Sequence, residues 1–257
     1  MNLRQKYIAF KTILIKEFLR FIRIWIQTVL PPTITIVLYF VIFGKLIGSQ
    51  IGDIHGFTYM EYIVPGLIML GIIAHSYANV VSSFFGAKFQ RHIEEMLISP
   101  TPNYIILLGF VGGGVVRGMT VGVAVFLVSL FFTDLHIHNI FVTVSVVFLT
   151  AILFALAGFI NGIFARSFDD ISIVPTFVLT PLTYLGGIFY SIDMLPPFWQ
   201  AVSLVNPILY MINAFRFGII GHSDISVTVS FGIILGFILV LFTLSLRLLD
   251  RGVGIRT

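Results

Sequence analysis

Four groups of residues have the types and spacing that chemistry would need. Asp134, His136 and His138 fall in one short segment. If that segment is extended, alternation sets both imidazoles on one side, where they could ligate a cation. No second cluster completes such a site, and the same residues also read as a solvated loop. Asp169 and Asp170 stand beside Arg166 as an acid pair for catalysis, or as a helix cap favoured by the N-terminal dipole. His75, near Tyr77 and Asn79 within an apolar run, serves either packing or proton relay. Arg117 lies inside another apolar run and marks either a protein-lined pathway or a guanidinium snorkelling to the interface. Serine hydrolase chemistry is excluded in its usual form, because no G-x-S-x-G occurs, and H-E-x-x-H is absent too. With 0 Cys, thiolate nucleophiles and thiolate metal sites are also excluded.

The elements that must position these groups are set by composition. The 257 residues are 58% hydrophobic and only 10% charged, with mean hydropathy +1.06, well outside the soluble range. A bilayer core about 30 Å thick takes about 20 apolar residues of helix. Runs of that kind cover 24–43, 62–85, 117–132, 140–165, 171–192 and 225–246. The fold expected is an all-α polytopic membrane domain of six spans over 1–257. The third run is short, so its span is expected to start near Arg117, with 104–116 as an interfacial or protein-covered lead-in. Gly112, Gly113 and Gly114 in that lead-in read as a kink or a close helix contact. The segment 194–216 holds Pro196, Pro197 and Pro207. Proline removes backbone donors, so an outer re-entrant hairpin is expected here rather than a seventh span.

Charge gives the orientation. Of the 15 Lys and Arg, 12 fall in the segments that six crossings would leave inside, among them Arg4, Lys11, Arg247, Arg251 and Arg256, while Lys45 and Arg216 fall outside. Both termini are therefore expected to be cytoplasmic. The long basic segment before a full-length first run reads as a retained helix, not a cleaved signal. A pI near 9.4 does not indicate nucleic acid, because the basic residues flank apolar spans.

Two segments on the basic side are amphipathic. In 1–23, Tyr7, Phe10, Leu14, Phe18 and Phe21 recur at helical spacing, with Lys16, Arg20 and Arg23 on the other face. That predicts an interfacial helix, its basic face toward headgroups or a protein partner. In 87–97, Phe89, Ile93, Met96 and Leu97 share a face while Lys88, Arg91, Glu94 and Glu95 are polar. Pro100 and Pro102 stop the helix. It is either a force-transmitting cytoplasmic helix or a solvated linker. Within the spans, Tyr39, Phe40, Tyr77, Asn79, Asn161, Thr180, Thr183, Tyr184 and Tyr190 supply aromatic and hydrogen-bonding groups. Together with Arg117 they are candidates for a pathway that suits an amphipathic substrate.

Several short motifs, in order along the chain, resemble those of the ABC-2 type exporter permeases. They are Tyr62-Ile-Val-Pro65-Gly66, Glu94-Glu95-Met-Leu97-Ile-Ser-Pro100, Leu182-Thr-Tyr-Leu-Gly186-Gly187-Ile-Phe189-Tyr190, Leu195-Pro196-Pro197-Phe-Trp199 and Asn206-Pro207-Ile-Leu-Tyr210. At Gln90-Arg91-His92-Ile93 the chain departs from the pattern of many relatives. The resemblance implies a half-transporter of the bacterial inner membrane that pairs with a second copy and couples to a separate ATPase. It further implies that Phe89, Arg91, Ile93, Glu94, Glu95 and Leu97 sit in a cleft of that ATPase, with Asp169, Asp170, Lys16, Arg20 and Arg23 close by. No G-x-x-x-x-G-K-[ST] loop is present. ATP and Mg are accordingly expected on the partner, with no cofactor on this chain. The other readings are an ion-gradient transporter, which would be expected to carry a mid-membrane acid, and a membrane scaffold or enzyme.

Overall fold

In hydrocarbon every backbone amide must find its partner within the protein, and a helix does so within one segment. The computed structural model describes residues 1–254; Arg256 and the side chain of Lys45 lie outside the described residues. Helix dominates among them, with one isolated bridge between Ile54 and Phe57. The elements are α1 (Leu3–Arg23), α2 (Trp25–Tyr39, prolonged by a π-helical turn Phe40–Ile47), α3 (Tyr59–Phe89), α4 (His92–Ile98), α5 (Asn103–Ser129) and α6 (Ile140–Phe164). A segmented α7 follows (Asp170–Val174, a π turn Pro175–Leu179, and Thr180–Tyr184), then α8 (Pro197–Val205), α9 (Pro207–Ile220) and α10 (Val227–Arg251).

Among the described residues, five helices are long and apolar enough to cross a membrane: Trp25–Gly44, α3, α5, α6 and α10. The bent pair α8–α9 would add a sixth if it were one span. α3 is the central post, with 78% of its most apolar window buried, against 11% for α10 and 17% for the first span. It packs on α6, α5 and α9. The basic end of the bundle gathers the start of α1, α4, the 165–169 loop and the end of α10. At the far end lie the 52–58 turn, the 130–139 loop, the 185–196 segment and the α9–α10 connection.

Three boundaries differ from expectation, each for a local reason. α5 is one continuous helix from Asn103, not a separate lead-in followed by a span from 117 to 132, and its first half is covered by protein. Its glycines let α1 lie directly on it: a Cβ on Gly109 would strike Ile13 and one on Gly113 would strike Glu17. The fifth run is not a helix over 171–192. α7 ends at Tyr184, and Tyr190 belongs to the turn beyond it. Pro175 has no N–H to offer the Ile171 carbonyl, and Asn161 Nδ2 of α6 donates to that oxygen instead at 3.3 Å. The 87–97 helix is broken at Gln90 and Arg91, where Arg91 takes a left-handed φ of 61°; Phe89 ends α3 and α4 starts at His92. The 194–216 hairpin is an L, α8 and α9 meeting at 89°. Asn206 makes the corner. Its Oδ1 accepts from Ile208 N at 3.0 Å, and its Nδ2 donates to the Leu182 carbonyl left free at the end of α7.

Helix α6 approaches α3 so closely at Gly158 that an added Cβ would sit 2.5 Å from the Tyr77 carbonyl oxygen. Alanine in a helix interior ordinarily gains about 0.8–1 kcal/mol over glycine. Overpacking against backbone, which cannot swing aside, costs about 1–3 kcal/mol. Gly158→Ala is therefore expected to destabilise, seen as a lower midpoint when detergent-solubilised protein is heated and scored by size exclusion. An unchanged or higher midpoint would contradict the packing described.

Candidate functional site

The basic end presents the candidate coupling surface. α4 is anchored by Ile93, which is 1% exposed, while Glu94 and Glu95 face outward. Leu97 is half-buried. Ile98, which the sequence reading passed over, is 85% exposed, an apolar side chain left beside two carboxylates. Phe89, at the end of α3, is exposed as well and stands against Phe168 at 5.2 Å between ring centroids. Phe168 also meets Phe85 at 4.9 Å. Lys88 Nζ donates to the Ile163 and Ala165 carbonyls at 2.6 and 2.7 Å, tying α3 to the end of α6. These contacts hold the loop before Asp169 and Asp170 against the end of α3. The Asp170 carboxylate accepts from Arg166 N at 2.8 Å and Ser167 N at 3.1 Å. Those bonds, the Arg166 one foremost, hold it below the usual carboxylate range.

α1 buries part of its aromatic stripe, Phe21 fully and Phe10 and Leu14 by about half. Its buried residues are Ile13, Glu17 and Phe21, while Tyr7 and Phe18 are exposed. Arg20 therefore does not point to headgroups: its Nη2 donates to Asn79 O at 2.9 Å and Asn79 Oδ1 at 2.8 Å. Glu17, absent from the sequence candidates, lies 3.4 Å from Arg20 Nε and accepts from Ser83 Oγ at 2.6 Å. Arg117, halfway along α5, also donates to Asn79 Oδ1, at 3.5 Å. Two guanidiniums thus converge on one amide oxygen with a single carboxylate near. A charge at this depth costs about 2.5–3.5 kcal/mol even on lenient scales; the Asn79 and Glu17 partners offset part of that. Lys16 and Arg23 remain exposed.

The candidate pathway residues divide. Tyr39, Tyr77, Thr180, Thr183 and Tyr184, joined by Thr35 and His75, line one mostly apolar cleft of about 370 Å³ between α2, α3 and α7. The Tyr39 and Tyr184 hydroxyls meet at 3.2 Å, and Tyr190 Oη donates to the Tyr184 carbonyl at 3.1 Å. Phe40 is fully buried and packs on Phe132 at 5.2 Å, which makes it core. Asn161 serves the Pro175 break, and Asn79 with Arg117 belongs to the cluster on α1. Beyond the cleft, α7 exposes Ile173, Phe177 and Val178, an apolar face left uncovered among the described residues.

At the far end, Arg216 is completely buried. Its guanidinium lies 3.9 Å from the centre of the Tyr62 ring and donates to the Gly187 carbonyl, and its Nη1 is 4.0 Å from Asp224 Oδ2. The Tyr62 hydroxyl donates to the same carboxylate oxygen at 3.3 Å. Tyr62 and Gly187, from two of the motifs, and Arg216, far apart in sequence, thus form one polar lock across α3, the turn after α7, and α9.

Comparison with known proteins agrees with this arrangement of motifs. The family model described as "ABC-2 type transporter" matches residues 8–220. The chain is 57% identical over 252 residues to the "Inner membrane transport permease YadH" of Escherichia coli (strain K12), covering 98% of both chains. More distantly, it is 24% identical over 216 residues to "Nodulation protein J" of Rhizobium leguminosarum bv. viciae, covering 84% of this chain and 83% of that protein. The Rhizobium meliloti protein of the same name is 22% identical over 237 residues, covering 92% and 90%. A family match across most of the described helices, on a bundle whose motifs meet in space, has one reading: the chain belongs to the ABC-2 type transporter family.

Proposed function

We propose that this protein is the permease subunit of an ABC exporter in a bacterial inner membrane. Two copies form the pathway, a separate ATPase supplies the energy, and both termini are cytoplasmic. Catalysis belongs to the ATPase, which holds ATP and Mg; this chain binds neither. The observation that carries the reading is α4: a short helix with an outward acidic face and an exposed Ile98, joined through one left-handed residue to the central post α3 and directly followed by α5. A helix attached in this way moves two spans when it is pushed, the rigid-body form of an alternating transition. On this reading α7 supplies the fifth crossing and α8–α9 dips into the outer leaflet, giving six crossings and placing α1, α4 and the end of α10 on one side, as the basic residues require.

The half-open cleft along α7 supports pairing with a second copy, which would cover Phe177 and Val178 and enclose the space beside Tyr77 and Tyr184. Its apolar walls with a few hydroxyls suit an amphipathic substrate of lipid-like, glycan or drug type. Co-expression with a candidate ABC ATPase that has no membrane segment of its own tests the reading. The expected result is a detergent-stable complex of two permeases with two ATPases, and ATP-dependent transport after reconstitution. A permease that purifies as a lone monomer and transports on an ion gradient alone would overturn it.

A further inference from the structure

The 52–58 turn holds an imidazole in an unusual position. Ile54 and Phe57 exchange backbone hydrogen bonds of 2.9 and 3.0 Å around His55 and Gly56, whose φ values are 51° and 83°. Positive φ at both central residues is the two-residue hairpin turn that Asn-Gly and Gly-Gly usually fill. Here the turn lays the His55 ring on that of His222, from the α9–α10 connection, with centroids 4.4 Å apart and planes within 26°. Both Nε2 atoms approach one oxygen, Asp224 Oδ1, at 3.2 Å from His222 and 3.9 Å from His55. The Asp224 side chain is 2% exposed. Its Oδ2 is occupied by the Tyr62 hydroxyl and Ile192 N and faces Arg216, so Oδ1 alone is left toward the imidazoles and the carboxylate cannot swing away.

We propose that His55, His222 and Asp224 bind one divalent cation of the zinc class, and that the ion ties the turn before α3 to the connection between α9 and α10. The three ligand atoms lie within 4.8 Å of one another. Zinc bonds of about 2.0–2.1 Å in tetrahedral geometry set ligand atoms roughly 3.3 Å apart; His222 Nε2 and Asp224 Oδ1 already have that spacing, while the His55 ring has to turn out of its stack on His222 and leave Ser191 Oγ, 3.2 Å from its Nε2. The donor set chooses the cation. Arg216 already neutralises Asp224, so a hard cation that relies on carboxylate charge gains little, whereas two neutral imidazoles suit zinc, copper or nickel. His55 and His222 side chains are 35% and 29% exposed, which leaves an entry path and a fourth position for water. Asp134, His136 and His138, the grouping visible in sequence, do not form such a site: among the described residues His55, His222 and Asp224 are the group whose ligand atoms meet.

The test uses the full chain in detergent, stripped of metal with a chelator and titrated calorimetrically with zinc chloride, then with calcium and magnesium chloride. One zinc per chain is expected, with no comparable binding of calcium or magnesium. The double variant His55→Ala with His222→Ala should bind at least about tenfold more weakly, since even loss of outer partners weakens metal sites about 10–100-fold. His136→Ala with His138→Ala should bind as the parent does. Cobalt bound to the parent should show the intense visible bands of a four-coordinate site. Zinc binding that survives the His55 and His222 substitutions, or a parent protein that takes up no zinc and shows only the pale spectrum of hydrated cobalt, overturns the proposal. Neither outcome depends on whether an ATPase partner has been found.

Discussion

Asp224→Ala is expected to cost about 3–5 kcal/mol of stability, the usual consequence of stranding one member of a buried ion pair. Arg216 is 0% exposed, and its other contacts are a ring face and carbonyl oxygens, none of which carries a compensating charge. The same substitution strips the Tyr62 hydroxyl and Ile192 N of their acceptor. Detergent-solubilised protein heated and scored by size exclusion should show a midpoint lower by something on the order of 10 °C. Pairing Asp224→Ala with Arg216→Met removes both charges and should recover much of the loss, because what is costly is the unpaired charge, not the missing bridge. A single variant as stable as the parent, or a double variant no better than the single, would show that Arg216 draws its stability from elsewhere.

Reversing Glu94 and Glu95 together to lysine should leave the permease folded and disconnect it from its ATPase. Both side chains are exposed on α4, and surface changes of this sort usually move stability by less than about 0.5 kcal/mol. Like charges brought together across an interface cost several kcal/mol, and about 1.4 kcal/mol is already tenfold in affinity. Co-purified ATPase is expected to fall at least about tenfold, and ATP-driven transport to background, at unchanged permease yield. Ile98→Asp should act the same way through lost apolar contact. Full coupling in the charge-reversed protein would assign α4 to linker duty and leave the ATPase contact to the loop around Asp169.

Hydropathy made four of the five long helices legible in sequence, because lipid demands apolar length and little else. The third was misjudged at its start. Arg117 looked like an end, since a charge inside a span has to be supported by partners from other helices, and Asn79 is far away in sequence. Glu17 was missed for a related reason. Apolar periodicity in α1 marked Tyr7, Phe10, Leu14, Phe18 and Phe21 and gave no signal for a carboxylate, whereas the buried face is Ile13, Glu17 and Phe21, with Ile13 and Glu17 set against the glycines of α5. Proline at 175 was visible, but the compensation by Asn161 was not, because donor and freed carbonyl come from different helices. The far-end lock was partly legible: Tyr62 and Gly187 sit within recognisable motifs, while Asp224 gave no signal, and only the fold brings them together with Arg216. No spacing rule links His55 to His222.

The length of α3 has a mechanical consequence. Thirty-one residues make a rod about 46 Å long, carrying the joint to α4 at one tip and Tyr62, against Arg216, near the other. If it pivots near one tip as a rigid rod, a tilt of about 5° displaces the other by about 4 Å, more than a hydrogen bond survives. Leverage of this kind lets a small shove at the basic tip break or make the Tyr62 contacts across the whole thickness of the protein, with no need for the post itself to deform.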